Sequence, residues 1–287
     1  MGLKQDRIAL VTGASRGAGK GIATALGATG ATVYVTGRTR TEGQAPLPGT
    51  VQATADAVTA AGGKGVAVYC DHADDGQVEQ LFERIKREQG RLDILVNNAT
   101  VIHDALTRPG PFWDKPLALV DILDVGLRCH YSATWFAAPL LLANGGGLVV
   151  NTSSFGGRIY MHGPAYGAGK AGLDKMAHDM AVDFRPHGVA VVSLWMGLLS
   201  TERTRRVFAA EPEKYAGMVD TAESPEFSGR VIDALARDPD LMNKSGRVLI
   251  AAELGEEYGV TDTGGRIPVS PRLFFGESTV FGDAVVE

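Results

Sequence analysis

Ten residues near the start of the chain, Thr12 to Gly21 in the run RIALVTGASRGAGKG, restrict the fold more than any other stretch. They follow RIALVT, a short segment apolar on both faces, as a strand inside a parallel sheet must be. They open into GIATALGATG, which has the composition of a helix. A chain passing from strand to helix here must turn tightly, and Gly13, Gly17 and Gly19 permit the turn. Glycines at this spacing also let the backbone approach a pyrophosphate, which then rests on free amides at the helix N-terminus. A plain tight turn does not ask for three of them. The loop, with Ser15 and Arg16 inside it, is therefore read as a dinucleotide site.

The rest of the chain repeats the strand–helix alternation. ATVYVTGR is a second strand, residues 50–61 a helix, and GVAVYCD a third strand ending at Asp71. DGQVEQLFERIKREQG places Val78, Leu81, Phe82 and Ile85 on one face of a surface helix. RLDILVNNA is a fourth strand ending in Asn97 and Asn98, whose amides pin the central sheet beside the cofactor groove. Residues 99–116 form an ordered loop, and residues 117–142 one long apolar helix. GGGLVVNTSS and GVAVVSLW give the fifth and sixth strands, and GRVLIAAELGEEYG the seventh with a tail helix. Such alternation predicts an α/β doubly wound parallel sheet of seven strands, with helices on both faces. No repeat or composition shift divides the chain, so residues 1–287 are read as one domain, with 198–228 as a lid within it.

Two charges bear on the cofactor. In NAD-binding folds an acidic residue after the second strand bonds the ribose 2′-hydroxyl. Here that strand ends in Gly37 and Arg38, and Arg16 adds a second cation. A guanidinium fork suits a 2′-phosphate, so NADP(H) is favoured over NAD(H). Asp71 either caps the following segment or touches the adenine, and both roles can hold.

Chemistry is concentrated in NTSSFGGRIYMHGPAYGAGK. Tyr166 and Lys170 lie four residues apart in a helical run and share one face. A phenol has a reference pKa of about 10. A neighbouring ammonium favours the phenolate and lowers that value, which suits general acid–base work. Ser154, arriving from a strand end, brings a hydroxyl that could hold a carbonyl oxygen.

Other function classes lack support. The net charge of -5 gives no reason to expect nucleic acid. No apolar run reaches the ~20 residues needed to span a bilayer, so no membrane is expected. The N-terminus runs directly into the first strand and is not read as a signal peptide. Cys70 and Cys129 make neither a disulfide framework nor a zinc site, and a cytoplasmic location is the default. The six histidines show no metal-ligand spacing, so no metal is expected. His162, His130, Met176 and Met180 are read as loop, packing and core residues.

TGASRGAG, Asp71, NNA, the paired serines, YGAGK and the Gly197-x-x-x-Thr201 pattern together resemble the short-chain dehydrogenase/reductase family, over residues 7–200. DVGLRCHY, SLWMG and GRVL are similar to blocks of its subgroup called dehydrogenase/reductase short-chain family member one. The resemblance implies a Rossmann sheet with the strand order 3-2-1-4-5-6-7 and carbonyl/alcohol chemistry with a nicotinamide cofactor, and within the subgroup NADPH-dependent reduction of carbonyls on steroids and xenobiotics. It implies that Tyr166 is the acid/base, that Lys170 binds the nicotinamide ribose, and that a serine holds the carbonyl. Counting thirteen residues back from Tyr166 selects Ser153; strand register selects Ser154, which is preferred.

The resemblance has gaps. The family usually carries an asparagine at Gly126, supporting a helix kink and a water that leads protons to the lysine. Gly126→Asn is accordingly expected to be tolerated. Met196 stands where a proline is usual. Apolar Leu117, Leu119, Val120, Ile122, Leu123 and Leu127 exceed what one sheet contact needs, and the resemblance implies a homodimer or homotetramer built on helices 117–142 and 165–185. The competing reading is a dinucleotide-binding regulator or scaffold with impaired catalysis. The substrate is a small carbonyl or alcohol whose identity the residues do not state; specificity is expected in 99–116, 155–164 and 198–228.

Overall fold

The computed structural model describes residues 6–286. The first five residues, part of the stretch read against a signal peptide, lie outside the described residues, as does Glu287. Within them, the short apolar runs become strands because each can bury both faces. β1 (Ile8–Val11) sends Ala9 and Val11 into one core and Ile8 and Leu10 into another. The same alternation holds for β5 (Gly147–Ser153) and β6 (Val189–Trp195), which are buried throughout. Each fully buried Val, Leu or Ile favours folding by about 1.5–3 kcal/mol before chain entropy is counted. These strands join β2 (Thr32–Gly37), β3 (Lys64–Tyr69), β4 (Ile94–Asn97) and β7 (Val248–Ile250) in one seven-stranded sheet. All pairings are parallel, as the alternation predicts, and the order β3-β2-β1-β4-β5-β6-β7 is the one the resemblance implies.

Helices α1 (Gly17–Gly27) and α2 (Val51–Ala60) cover the first core. Helix α3 (Asp75–Gln89) covers the second, with Val78, Leu81, Phe82 and Ile85 inward. Its N-terminal cap is Asp74, which accepts from Gly76 and Gln77 amides. Asp71 does not cap it and instead accepts from the Ala73 amide. The reason is position: a cap must directly precede the first helical turn.

The long helix expected over 117–142 is broken. Leu117–Val120 is a 3₁₀ turn, and Asp124–Arg128 is a widened turn in which Val125 (φ -107°, ψ 84°) and Gly126 (φ 152°, ψ -18°) leave helical geometry. Only then does α4 (Cys129–Asn144) begin. The Val101 amide donates to the carbonyl of Val125 at 2.9 Å, so the 99–116 loop takes up the group that the break releases. Apolar periodicity carries no sign of such a break, because the side chains on either side remain apolar. Leu117, at 86% exposure, does not pack as part of a helix face.

Helix α5 (Pro164–Phe184) runs beside β5 and β6. After β6 the chain makes a helical excursion, α6 (Glu202–Ala210) and α7 (Pro212–Val219), before α8 (Pro225–Leu235). The base of the excursion is closed: the Ser200 amide donates to the Glu223 carbonyl at 2.8 Å, and the Glu223 amide to the Leu198 carbonyl at 2.7 Å. The segment read as a lid is thus a tethered pair of helices. Helix α9 (Ala251–Tyr258) follows β7, and the tail then returns over the sheet edge, where Arg272 donates to Glu253 Oε2 at 2.8 Å and the Ser278 carbonyl accepts from Arg158 at 3.2 Å. No helix among the described residues is long and apolar enough to cross a membrane.

Candidate active site

Parallel strands all end on the same edge of the sheet, so the loops that follow β1 to β6 gather there. They enclose a cleft of about 830 Å³. The residues proposed for the site from the sequence line it: Gly13, Ser15, Arg16, Gly17, Gly19, Arg38, Asp71, Asn98, Ser154, Tyr166, Lys170 and Thr201.

One half of the cleft is the glycine loop. The Asn98 side chain donates to the carbonyls of Thr12 (2.9 Å) and Gly13 (3.1 Å), fixing the loop to the end of β4. A Cβ on Gly13 would stand 2.6 Å from the Ala99 Cα, and one on Gly19 would stand 2.6 Å from the Gly13 carbonyl oxygen. The backbone is therefore packed as closely as glycine allows. Arg16, at the start of α1, provides no side-chain cap, which leaves the first amides of the helix facing the cleft. An anion is already drawn there: the Gly17 amide donates to the carboxylate Oε2 of Glu202 at 2.9 Å. A loop that accepts a carboxylate fits the diphosphate of a dinucleotide.

The cations are disposed differently from one another. Arg16 is committed to its own loop, donating to the carbonyls of Pro48 (2.9 Å) and Gly49 (2.7 Å) and to Thr39 Oγ1 (3.0 Å). Burial pushes its pKa down, with the Glu202 charge opposing. Arg38 is exposed and meets Asp71 only at 3.8 Å. Thr201 uses its hydroxyl to cap α6, accepting from the Thr204 amide at 3.2 Å.

The other half brings Ser154, Tyr166 and Lys170 together. Ser154 Oγ and Tyr166 Oη are 2.8 Å apart. The Gly156 amide donates to Ser154 Oγ at 3.2 Å, which leaves the serine hydrogen free to point at the phenol. Ser153 is turned away and buried, donating to the Lys170 carbonyl at 3.3 Å. Strand register thus separates the two serines, since consecutive residues leave a strand on opposite faces. Lys170 Nζ donates to the Thr152 carbonyl at 3.0 Å and lies 5.7 Å from the centre of the Tyr166 ring.

The electrostatics depart from the sequence-based expectation. Burial pushes the Tyr166 phenol up, opposed by the Ser154 hydrogen bond, and Lys170 is too far away to reverse it. Burial also lowers Lys170, to about 8, against the charge of Asp174. Desolvation outweighs the pairing of the two side chains. Asp174, one turn beyond Lys170, was not singled out from the sequence. It is buried and accepts from Ser193 Oγ (2.5 Å) and Trp195 Nε1 (3.0 Å). Continuing the four-residue spacing of Tyr166 and Lys170 by one step would have found it. Glu202 had no such signal. Cys70 and Cys129 are buried thiols, both pushed up to about 12 by burial.

A lysine pushed below its ordinary value binds fewer protons in the folded than in the unfolded chain between pH 8 and the ordinary 10.5. Its unfavourable contribution is complete below pH 8 and fades as pH rises through that window. Lys170→Met is accordingly expected to resist urea better than the unmodified protein at pH 7. That advantage should narrow above pH 8 and vanish above pH 10.5, as followed by denaturant midpoints across pH.

A nucleotide-binding glycine loop at one end of a doubly wound sheet, and a Ser–Tyr–Lys cluster at the other end of the same cleft, define a class of oxidoreductase. The chain belongs to the short chain dehydrogenase family, which matches over residues 7–212 and uses nicotinamide dinucleotides. Among its relatives, Dehydrogenase/reductase SDR family member 1 of Mus musculus is 44% identical over 283 residues, covering 95% of this chain and 88% of the relative. The Homo sapiens protein of the same name is 41% identical over 281 residues, covering 93% and 86%. A putative dehydrogenase from Xanthomonas campestris superposes with a TM-score of 0.76 at 26% identity, covering 94% of this chain and 97% of that one. The subgroup resemblance read from DVGLRCHY, SLWMG and GRVL is borne out by the first two.

Proposed function

We propose that this oxidoreductase interconverts a carbonyl and an alcohol with NADP(H), using Tyr166 as proton donor and acceptor. The observation that carries the reading is the 2.8 Å contact of Ser154 Oγ and Tyr166 Oη in the cleft that begins at the glycine loop. Two hydroxyls that meet at this distance can both turn to one substrate oxygen inserted between them. The nicotinamide cofactor supplies the two-electron redox chemistry, which no side chain in the cleft can provide. Gly13, Ser15, Gly17, Gly19 and Asn98 would hold its diphosphate half, with Asp71 near the adenine. Lys170 and Thr201 would hold its other end.

As negative charge grows on the substrate oxygen, Ser154 donates to it and Tyr166 donates and then yields its proton. The raised phenol pKa suits Tyr166 to holding that proton until the oxygen needs it. Lys170, anchored on the Thr152 carbonyl, would add only the field of its charge, acting from 5.7 Å off the centre of the phenol ring. A turnover screen with NADPH and a panel of aldehydes, ketones, quinones and 3-ketosteroids tests the reading. Tight NADPH binding without turnover of any of them would favour instead a catalytically impaired regulator of the same fold, for which Gly126 is the best argument.

The preference for NADP(H) rests on Arg38, exposed beside the cleft and loosely paired, and on the absence of a carboxylate at Gly37. Losing a charge-assisted contact in a partly solvated site costs ~1.5–3 kcal/mol. Arg38→Ala is expected to weaken NADPH binding about tenfold or more and leave NADH nearly unchanged. Tighter NADH than NADPH binding to the unmodified protein, by calorimetry, would overturn the preference.

Self-association is proposed on α4 rather than on residues 117–127. Trp135 (63% exposed), Tyr131 and Leu142 lie on its outer face, beside a groove lined by Phe82, Phe136 and Pro139. Trp135→Glu is expected to yield monomers by light scattering where the unmodified protein is a dimer or tetramer. A monomeric unmodified protein at micromolar concentration would refute the pairing.

A further inference from the structure

The amide that should greet a diphosphate is holding a carboxylate of the chain's own. Glu202 is the first residue of α6, and its Oε2 accepts from the Gly17 amide at 2.9 Å. The methyl of Thr201 lies 3.7 Å from the position a Cβ on Gly17 would take, so the start of α6 is seated on the glycine loop. The next residue reaches the opposite wall. Arg203 Nη1 donates to Asp104 Oδ1 at 2.7 Å, and Nη2 to the Ile102 carbonyl at 3.4 Å. Two consecutive side chains thus tie the helical excursion to both the glycine loop and the 99–116 loop. The base of the excursion is fixed at Glu223, so its helices are the part left to move.

One amide cannot serve the Glu202 carboxylate and a diphosphate at once, and two anions at one helix N-terminus repel. We propose that Glu202 sets cofactor affinity by competing for the diphosphate amides, so that dinucleotide binding requires its displacement and frees α6 from the glycine loop. The proposal rests on the dinucleotide reading of that loop. It makes Glu202 an affinity-determining residue of the site and α6 the element whose attachment reports cofactor binding.

Calorimetry with NADPH tests it. Glu202→Gln keeps the shape and loses the charge; Glu202→Ala loses both. Each is expected to bind NADPH at least fivefold more tightly than the unmodified protein. Limited proteolysis without cofactor adds a readout independent of turnover: cleavage within 202–219 should be faster in Glu202→Ala. Asp104→Asn, which releases only the Arg203 tie, is expected to speed that cleavage and leave NADPH affinity within twofold. Unchanged or weaker NADPH binding in both Glu202 variants would overturn the competition while leaving the dinucleotide reading standing. Failure of the unmodified protein and both variants to bind NADPH at all would overturn both.

Discussion

A Tyr166→Phe variant is expected to turn over its best carbonyl substrate at least a hundredfold more slowly than the unmodified protein, with NADPH affinity unchanged. The substitution removes one hydroxyl from the cleft and nothing else. That hydroxyl both donates to the growing oxyanion and supplies the proton that ends the reaction. Loss of a single donor at such a position costs about 10²–10³ in rate, and loss of the proton source adds to it. Folding should be little affected. Ser154 Oγ keeps its bond from the Gly156 amide, and only the 2.8 Å bond to the phenol is lost, worth about 1 kcal/mol. Steady-state rates together with calorimetry separate the two effects. A Tyr166→Phe variant working at the unmodified rate would defeat the mechanism.

The second large effect concerns Gly126. Read from sequence, an asparagine there should be accepted, since the family usually carries one. The structure gives the opposite expectation. Gly126 has φ 152° and ψ -18°, a backbone region that residues with a Cβ rarely enter. A Cβ there would also stand 3.0 Å from Thr100 Oγ1 and 3.4 Å from Ile122 Cγ1. Strain of about 1–3 kcal/mol is joined by overpacking of about the same size. Gly126→Asn is therefore expected to lose about 2–5 kcal/mol of stability, a large share of the 5–15 kcal/mol typical of a folded domain. Gly126→Ala should lose most of the same amount, which separates backbone strain from the amide itself. Urea midpoints at pH 7 measure both. An asparagine variant as stable as its parent would mean that the turn at 124–128 re-forms with other dihedral angles.

That reversal illustrates where sequence reading stopped. Gly126 was visible as a missing asparagine, but its backbone angles follow from how the 99–116 loop bonds to the Val125 carbonyl. Thr100, the side chain that fills the space, lies in a different element. Arg16 is a similar case. In sequence it is a cation in a glycine loop; in three dimensions its guanidinium is spent on the carbonyls of Pro48 and Gly49. Spacing and strand register pointed to different serines, and the structure sets Ser154 Oγ against the Tyr166 phenol while Ser153 Oγ turns to the Lys170 carbonyl.

By itself the sequence determined what depends on neighbours along the chain. Strands buried on both faces must be apolar throughout, a turn beneath a helix N-terminus must be glycine-rich, and a phenol and an ammonium four residues apart must share a helix face. Those local requirements were enough to define the parallel sheet and the Tyr166–Lys170 pair. Tertiary structure alone decided the electrostatic outcome, because desolvation depends on everything packed around a group. It raised Tyr166 and lowered Lys170 to about 8, where the spacing suggested that the lysine would lower the phenol. It alone brought Glu202 to the amide of Gly17, across 185 residues of chain, because the two are joined only by the way β6 and β1 end on the same edge of one sheet.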